Sequence, residues 1–228
     1  MEIWSIDLNQ PEPFIKAAGD CLSLEEKSRA ERFKNSAARH RYVIAHVALR
    51  RLLAAKTTLT PQDIPLRAGP HGKPCLTGTL TDRLHFNLSH SGNLVLIAIS
   101  RDAEVGIDVE RIRVLRDAAQ IAERFFSRAE TAVFKSLPEA EQNTAFFNLW
   151  TRKEALVKAT GDGIAHGLAR FEVASDAEAR LLAVDGDAAR AAQWTLRGFS
   201  PAPGYAAAVA VQQPHAQFSF HEYGPELP

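Results

Sequence analysis

The chain is poor in cysteine: Cys21 and Cys75 are the only two among 228 residues. That is too few for a disulfide framework or a cysteine-rich zinc site. It also lacks net charge, with 27 Lys and Arg against 27 Asp and Glu. A globally basic nucleic-acid binder is therefore disfavoured, although a local basic pocket is not. No apolar run approaches the length of a membrane span. The opening "MEIWSIDLNQ" carries acids where a signal peptide needs basic residues and then a long apolar stretch. Two motifs are missing as well: the G-x-x-x-x-G-K-[ST] phosphate loop and the G-x-S-x-G nucleophile elbow. The expectation is a cytoplasmic protein with no nucleic-acid and no membrane partner.

What remains is an ordinary globular composition, 46% hydrophobic and 24% charged. "IWSIDL" alternates and reads as a strand. "SLEEKSRAERFKNSAARHRYVIAHVALRRLLAAKT" reads as one helical stretch, with Ser23 and Glu26 at capping-box spacing. "LHFNLSHS" and "NLVLIAIS" are short strands. "RDAE" connects the second of these to "VGIDVERI", so those two are expected to form a hairpin. Ser127 and Glu130 repeat the capping-box spacing. "PEAEQNTAFFNLWTRKEALVKATGDG" is a long helix stopped by Gly161 and Gly163. Four strand-like pieces follow: "ARFEVAS", "QWTLRGFS", "YAAAVAVQ" and "FSFHEY". The expected fold class is α+β, in two similarly built halves, 1–110 and 111–228. Each half is a small antiparallel sheet packed on helices.

"VGIDVERI" raises a chemical question. On a strand, Asp108 and Glu110 share a face with Gly106, while Val105, Ile107 and Val109 cover the other. Two carboxylates about 6–7 Å apart repel by roughly 3 kcal/mol at an effective dielectric of about 20. Either the face is wet and screened, or the pair awaits a cation. In the long helix, Trp150, Glu154 and Lys158 lie on one stripe, four residues apart. Glu154 is either half of an exposed Glu–Lys pair or a carboxylate placed for metal or proton work. Lys153 falls within the apolar arc, where it either snorkels or meets a buried partner.

"FNLSHSG" places Ser89, His90 and Ser91 at a strand end, a setting that suits a phosphate; a satisfied buried histidine is the alternative. Ser89 and His90 point to opposite faces and are poorly placed as nucleophile and base. Lys73 in "HGKPCL" is either a solvated turn lysine or a cation presented by a rigid loop. The arginines around Arg29 and Arg41 form either a solvated face or a phosphate clamp. With no His/Cys cluster, a site of Asp108, Glu110 and Glu154 is all oxygen. Such ligands suit Mg²⁺, with Mn²⁺ also compatible.

"HGKPCL", "FNLSHSG", "VGIDVERI" and "LWTRKEALVKATGDGI" occur in this order. Together they resemble the 4′-phosphopantetheinyl transferases of the surfactin-synthetase-activating type. "RFFSRAE" and "RAERF…RHRYVIAHVALRRLL" extend the likeness over nearly the whole chain. The resemblance implies an enzyme that moves the phosphopantetheine arm of coenzyme A onto a serine of an apo acyl or peptidyl carrier protein, leaving adenosine 3′,5′-bisphosphate. It implies a monomer of two pseudo-symmetric α+β halves with coenzyme A in the cleft between them. Carried over by motif, Asp108, Glu110 and Glu154 would hold Mg²⁺ on the pyrophosphate, and Lys158 would touch the phosphate under attack. Ser89 and His90 would bind phosphates, His90 the 3′-phosphate, Lys73 and its loop would lie near the adenine and phosphate, and Arg29 and Arg41 would add contacts to the 3′-phosphate. The carrier would dock around residues 112–130, where Arg113, Arg116, Arg124 and Arg128 suit an acidic helix. Glu154 or a metal-bound water would take the serine proton. Two rival readings are a pyrophosphate hydrolase and a non-catalytic binder of coenzyme A or carrier.

Overall fold

The computed structural model describes residues 1–10, 19–69, 74–81, 83–161, 163, 167–176 and 178–224. The chain builds one pattern twice. Strand β1 (Glu2–Asp7) leads to helices α1 (Leu24–Glu31) and α2 (Ser36–Ala54). A short ribbon of β2 (Leu66–Ala68) and β3 (Pro74–Leu76) follows, then the hairpin β4 (His85–Ser91) and β5 (Leu94–Ser100). The second pass starts at β6 (Val105–Arg111). It continues through α3 (Ala118–Phe125), α4 (Arg128–Ser136) and α5 (Glu139–Thr160). Its ribbon is β7 (Phe171–Val173) with β8 (Leu181–Val184). After a short α6 (Ala188–Ala191) comes its hairpin, β9 (Thr195–Phe199) and β10 (Tyr205–Val211). A last strand, β11 (Ser219–Glu222), closes the chain. The sheets run β11-β1-β5-β4 and β6-β10-β9. In both halves the opening strand lies antiparallel to the second strand of the hairpin.

Several expectations need correction. The helical stretch after Ser23 is two helices. Asn35 caps the second by accepting from the Ala38 N–H, and the chain turns between them. The hairpin expected between 94–100 and 105–112 does not form. Both edges of β5 are taken by β1 and β4, and β6 pairs with β10. A division after residue 110 therefore cuts β6 from its own sheet; one within 101–104 keeps β6 with β10 and β9, so that among the described residues only β11 crosses between the halves. β11 leaves the second half and lies parallel to β1, so the first sheet is not purely antiparallel.

The repeat is also written in charge. In α1 the capping box is complete: Ser23 accepts from the Glu26 N–H, and the Glu26 carboxylate accepts from the Ser23 N–H. The same carboxylate accepts from Arg50 Nε on α2 at 2.5 Å. Arg50 is 1% exposed, and its Nη1 also donates to the carbonyls of Pro61, Gln62 and Ile64. In α4 the box is Ser127 with Glu130. Glu130 receives Lys153 Nζ of α5 at 2.7 Å, and Lys153 donates also to the carbonyl of Phe171. Lys153, 0% exposed, thus has a buried partner and does not snorkel. In each half one glutamate caps a short helix and anchors the next, long one. Two charges can stay in such a place only because each is paired and further hydrogen-bonded.

Three apolar layers complete the packing. α2 covers β1, β4 and β5 through Ile44, Leu49 and Leu53. α5 covers the second sheet through Phe147, Ala155 and Leu156 against Ala206, Ala208 and Ala210 of β10. Alanine is a poor strand former, but its small side chain lets the helix come close. Between the sheets, Ile3, Leu96 and Ala98 meet Val105, Ile107, Val109 and Val209. Gly106 marks a close approach of β6 to α5. A Cβ there would lie 1.9 Å from the Ala155 carbonyl oxygen and 2.4 Å from the Ala159 nitrogen.

Two outcomes follow. Gly106→Ala should destabilise the protein by about 3 kcal/mol, the upper end for overpacking, because backbone rather than a side-chain tip must move; urea denaturation measures this. For Glu26, burial works to raise the carboxyl, but His46, the Ser23 N–H and Arg50 overcome it and hold the group at about 2 against an ordinary 4.5. Its charge therefore stabilises the fold fully above pH 4.5, and that contribution is lost as pH falls toward 2. Glu26→Gln should lower the urea midpoint at neutral pH and flatten its fall across that acid range. Identical acid limbs in the two proteins would contradict this.

Candidate active site

Asp108 lies on the face of β6 turned to α5, and only 5% of it is exposed. A wet acidic face is thereby ruled out for this residue. Its Oδ1 accepts from Lys158 Nζ at 2.7 Å and from Ser89 Oγ at 2.8 Å. Lys158 Nζ also donates to Ser89 Oγ at 2.9 Å. The helix places Lys158 one turn beyond Glu154, but the lysine reaches across to β6 instead of pairing along its own stripe. Burial raises the Asp108 carboxyl above its ordinary range, and Lys158 and Ser89 only partly oppose it.

Glu154 is as buried as Asp108, at 5% exposed. Burial first, then the neighbouring Asp108 charge, push its carboxyl up to about 7, with Lys158 acting the other way and Glu110 adding to the rise. Glu110 is half-buried. Its Oε2 accepts from Ser91 Oγ at 2.7 Å and from Arg113 Nη1 at 3.4 Å. The three acids and Lys158 thus lie within electrostatic reach of one another at the junction of β4, β6 and α5.

The donor chemistry fits a hard divalent cation. Every candidate ligand is a carboxylate oxygen, and two of these atoms, Asp108 Oδ2 and Glu154 Oε1, are buried without a hydrogen-bond partner. Such atoms are costly unless something positive or protic meets them. Among the described residues no three His, Cys, Asp or Glu side chains stand together as a finished metal cage. Lys158 engages Asp108, while Ser91 and Arg113 hold Glu110.

Around this centre, His90 is exposed on β4. Desolvation by its neighbours and then the Lys158 charge hold its imidazole below the ordinary value; Arg41 acts in the same direction and Glu110 against it. Arg41 is therefore within reach of His90. Arg29 sits elsewhere in the first half, over the Tyr42 ring at 5.6 Å, and lines a recess with Glu26, Tyr42, His46, Arg67 and Pro74. Lys73 lies outside the described residues.

Gly106, on the same face as Asp108, admits the backbone of α5 through its missing side chain. Arg113, expected only among the basic residues of 112–130, also pairs with Glu110, and Asn87, which no motif singled out, accepts at its Oδ1 from the Ile107 N–H. The one signal for Asn87 was its alternation with Ser89 and Ser91.

Comparison with known proteins identifies the family. Residues 104–210 match the 4′-phosphopantetheinyl transferase superfamily, and residues 9–102 match the 4′-phosphopantetheinyl transferase N-terminal family. The 4′-phosphopantetheinyl transferase HetI of a Nostoc species is 36% identical over 213 residues, 92% of this chain and 87% of its own. The 4′-phosphopantetheinyl transferase psf-1 of Bacillus pumilus is 36% identical over 92% of this chain and 84% of its own. The 4′-phosphopantetheinyl transferase ffp of Bacillus subtilis is 33% identical over 70% of this chain and 69% of its own. With both halves matched and two of these relatives spanning 92% of it at 36% identity, the chain belongs to the 4′-phosphopantetheinyl transferase superfamily.

Proposed function

We propose that this chain transfers the 4′-phosphopantetheine arm of coenzyme A to a serine of an apo acyl or peptidyl carrier protein and releases adenosine 3′,5′-bisphosphate. The observation that carries the reading is the convergence of Asp108, Glu154, Lys158 and Ser89 from three separate elements in a member of this family. A binder of coenzyme A has no use for two buried, incompletely paired carboxylates. A pyrophosphate hydrolase would need a group to orient water, and no motif supplies one.

The chemistry is a displacement at phosphorus. The carrier serine oxygen forms a bond to the phosphorus bearing the pantetheine arm. The bond from that phosphorus to the bridging oxygen breaks, and adenosine 3′,5′-bisphosphate leaves with the electron pair. Such transfers depend on positioning and charge neutralisation more than on covalent catalysis. Asp108, Glu110 and Glu154 are the residues that would hold Mg²⁺, or Mn²⁺, whose part is to polarise the pyrophosphate. Lys158 offsets charge on the phosphate under attack. Glu154 accepts the serine proton. His90, Arg41, Arg29, Lys73 and Ser89 bind the phosphates and adenine end of coenzyme A.

The carrier docks along residues 112–130. Arg113, Arg116, Arg124 and Arg128 are exposed there, and Val114 is 80% exposed. That combination fits a helix with acids around an apolar contact. The reading also makes the enzyme a cytoplasmic monomer. Both cysteines are free thiols, and among the described residues no helix is long and apolar enough to cross a membrane.

Purified protein with Mg²⁺, coenzyme A and an apo-carrier should raise the carrier's mass by one phosphopantetheine group. No modification across acyl and peptidyl carriers would sink the reading. Glu154→Gln should cut turnover at least about a hundredfold while the protein stays folded. Wild-type turnover in that variant would remove Glu154 from the chemistry.

A further inference from the structure

Among the described residues the edge of β6 turned away from β10 has no backbone partner, yet it is not bare. Three side chains of β4 cover it. Asn87 Oδ1 accepts from the Ile107 N–H at 3.2 Å, Ser89 Oγ from the Val109 N–H at 3.4 Å, and Ser91 Oγ from the Arg111 N–H at 3.1 Å. The separation is 20 residues each time, so the strands run in the same direction in fixed register. In a strand, alternate N–H groups face one edge, and alternate side chains face one side. A period of two on β4 thus meets a period of two on β6.

The two serines do a second thing. Ser89 Oγ donates to Asp108 at 2.8 Å, and Ser91 Oγ donates to Glu110 at 2.7 Å. A hydroxyl has one proton to give and two lone pairs to receive with. Each serine spends a lone pair on the backbone N–H that follows an acid and its proton on that acid's carboxylate. The hydrogen-bond unit at Ser91 therefore repeats the one at Ser89. Only the surroundings differ: Ser89 also receives Lys158, whereas Ser91 is half-buried at the end of the strand and receives no lysine among the described residues.

We infer that Ser91 is a positioning residue for Glu110: its hydroxyl ties the carboxylate to the backbone of β6 and so fixes where that carboxylate sits in the cation site. The inference rests on the transferase reading. Ser91 touches no reacting atom; it acts through Glu110. Groups that orient a metal ligand are commonly worth ten- to a hundredfold in metal affinity or activity.

The test compares wild type with Ser91→Ala and Ser91→Thr. In the metal-free protein, exchange of the Arg111 amide should accelerate in Ser91→Ala and stay slow in Ser91→Thr, which keeps a hydroxyl. Mn²⁺ binding with coenzyme A present, followed by electron paramagnetic resonance, should weaken roughly ten- to a hundredfold in Ser91→Ala. In transfer assays kcat should fall and the half-saturating Mg²⁺ concentration should rise, while KM for the carrier holds. Ser91→Thr should recover all three. Wild-type Mn²⁺ binding and transfer by Ser91→Ala would overturn the inference. So would a Thr variant as impaired as the Ala variant, since volume rather than the hydroxyl would then matter. If the wild-type protein itself transfers nothing, the transferase reading has failed, and the exchange of the Arg111 amide still reports on the hydrogen bond alone.

Discussion

The candidate active site turns on one ion pair, Lys158 on Asp108. Asp108 belongs to the opening strand of the second sheet and is nearly sealed from water. Burial alone drives a carboxyl toward its neutral form. Lys158 counters this from α5, and Ser89 counters it from β4, so groups from both halves meet on one oxygen. Other features serve that meeting. Gly106 lets the helix backbone close on β6, and the alanines of β10 keep the helix close further along. The Glu130–Lys153 pair anchors α5 from its far side.

The two halves share a plan and differ in what they do with it. Each uses Ser-x-x-Glu to cap a short helix, and each lends the glutamate to a buried cation on the long helix behind it. The first half spends its arginine on three loop carbonyls. The second half carries Glu154 on the residue after its buried lysine and Lys158 four further on. Anchoring and chemistry are therefore neighbours on one helix, and a rigid Lys153 makes a reliable address for Glu154.

Local signals in the sequence were legible because their physics is local. Ser23 with Glu26 and Ser127 with Glu130 announced two helix starts, and Gly161, in the left-handed region at φ 76°, ended the long helix. The alternation in Val105–Arg111 correctly separated an apolar face from the face of Gly106 and Asp108. What stayed hidden depends on partners far along the chain. Nothing near β6 says that it pairs with β10, about a hundred residues on, rather than with adjacent β5. Lys153 could not be assigned until Glu130 was seen beneath it. Lys158 seemed bound to its own helix stripe until Asp108 was seen within its reach. Nor does anything near Gly106 say that its missing side chain makes room for the backbone of a helix about fifty residues on.

The central claim is that Asp108 is kept at a cost to stability for the sake of chemistry. Asp108→Asn tests it most directly, with urea stability and transfer to an apo-carrier measured on the same preparation. Asparagine keeps an acceptor for Ser89 and Lys158, and Lys158 is 26% exposed and can turn to water. The account predicts a urea midpoint equal to or above that of the wild type, with transfer lost. A variant that unfolds earlier yet still transfers would contradict it.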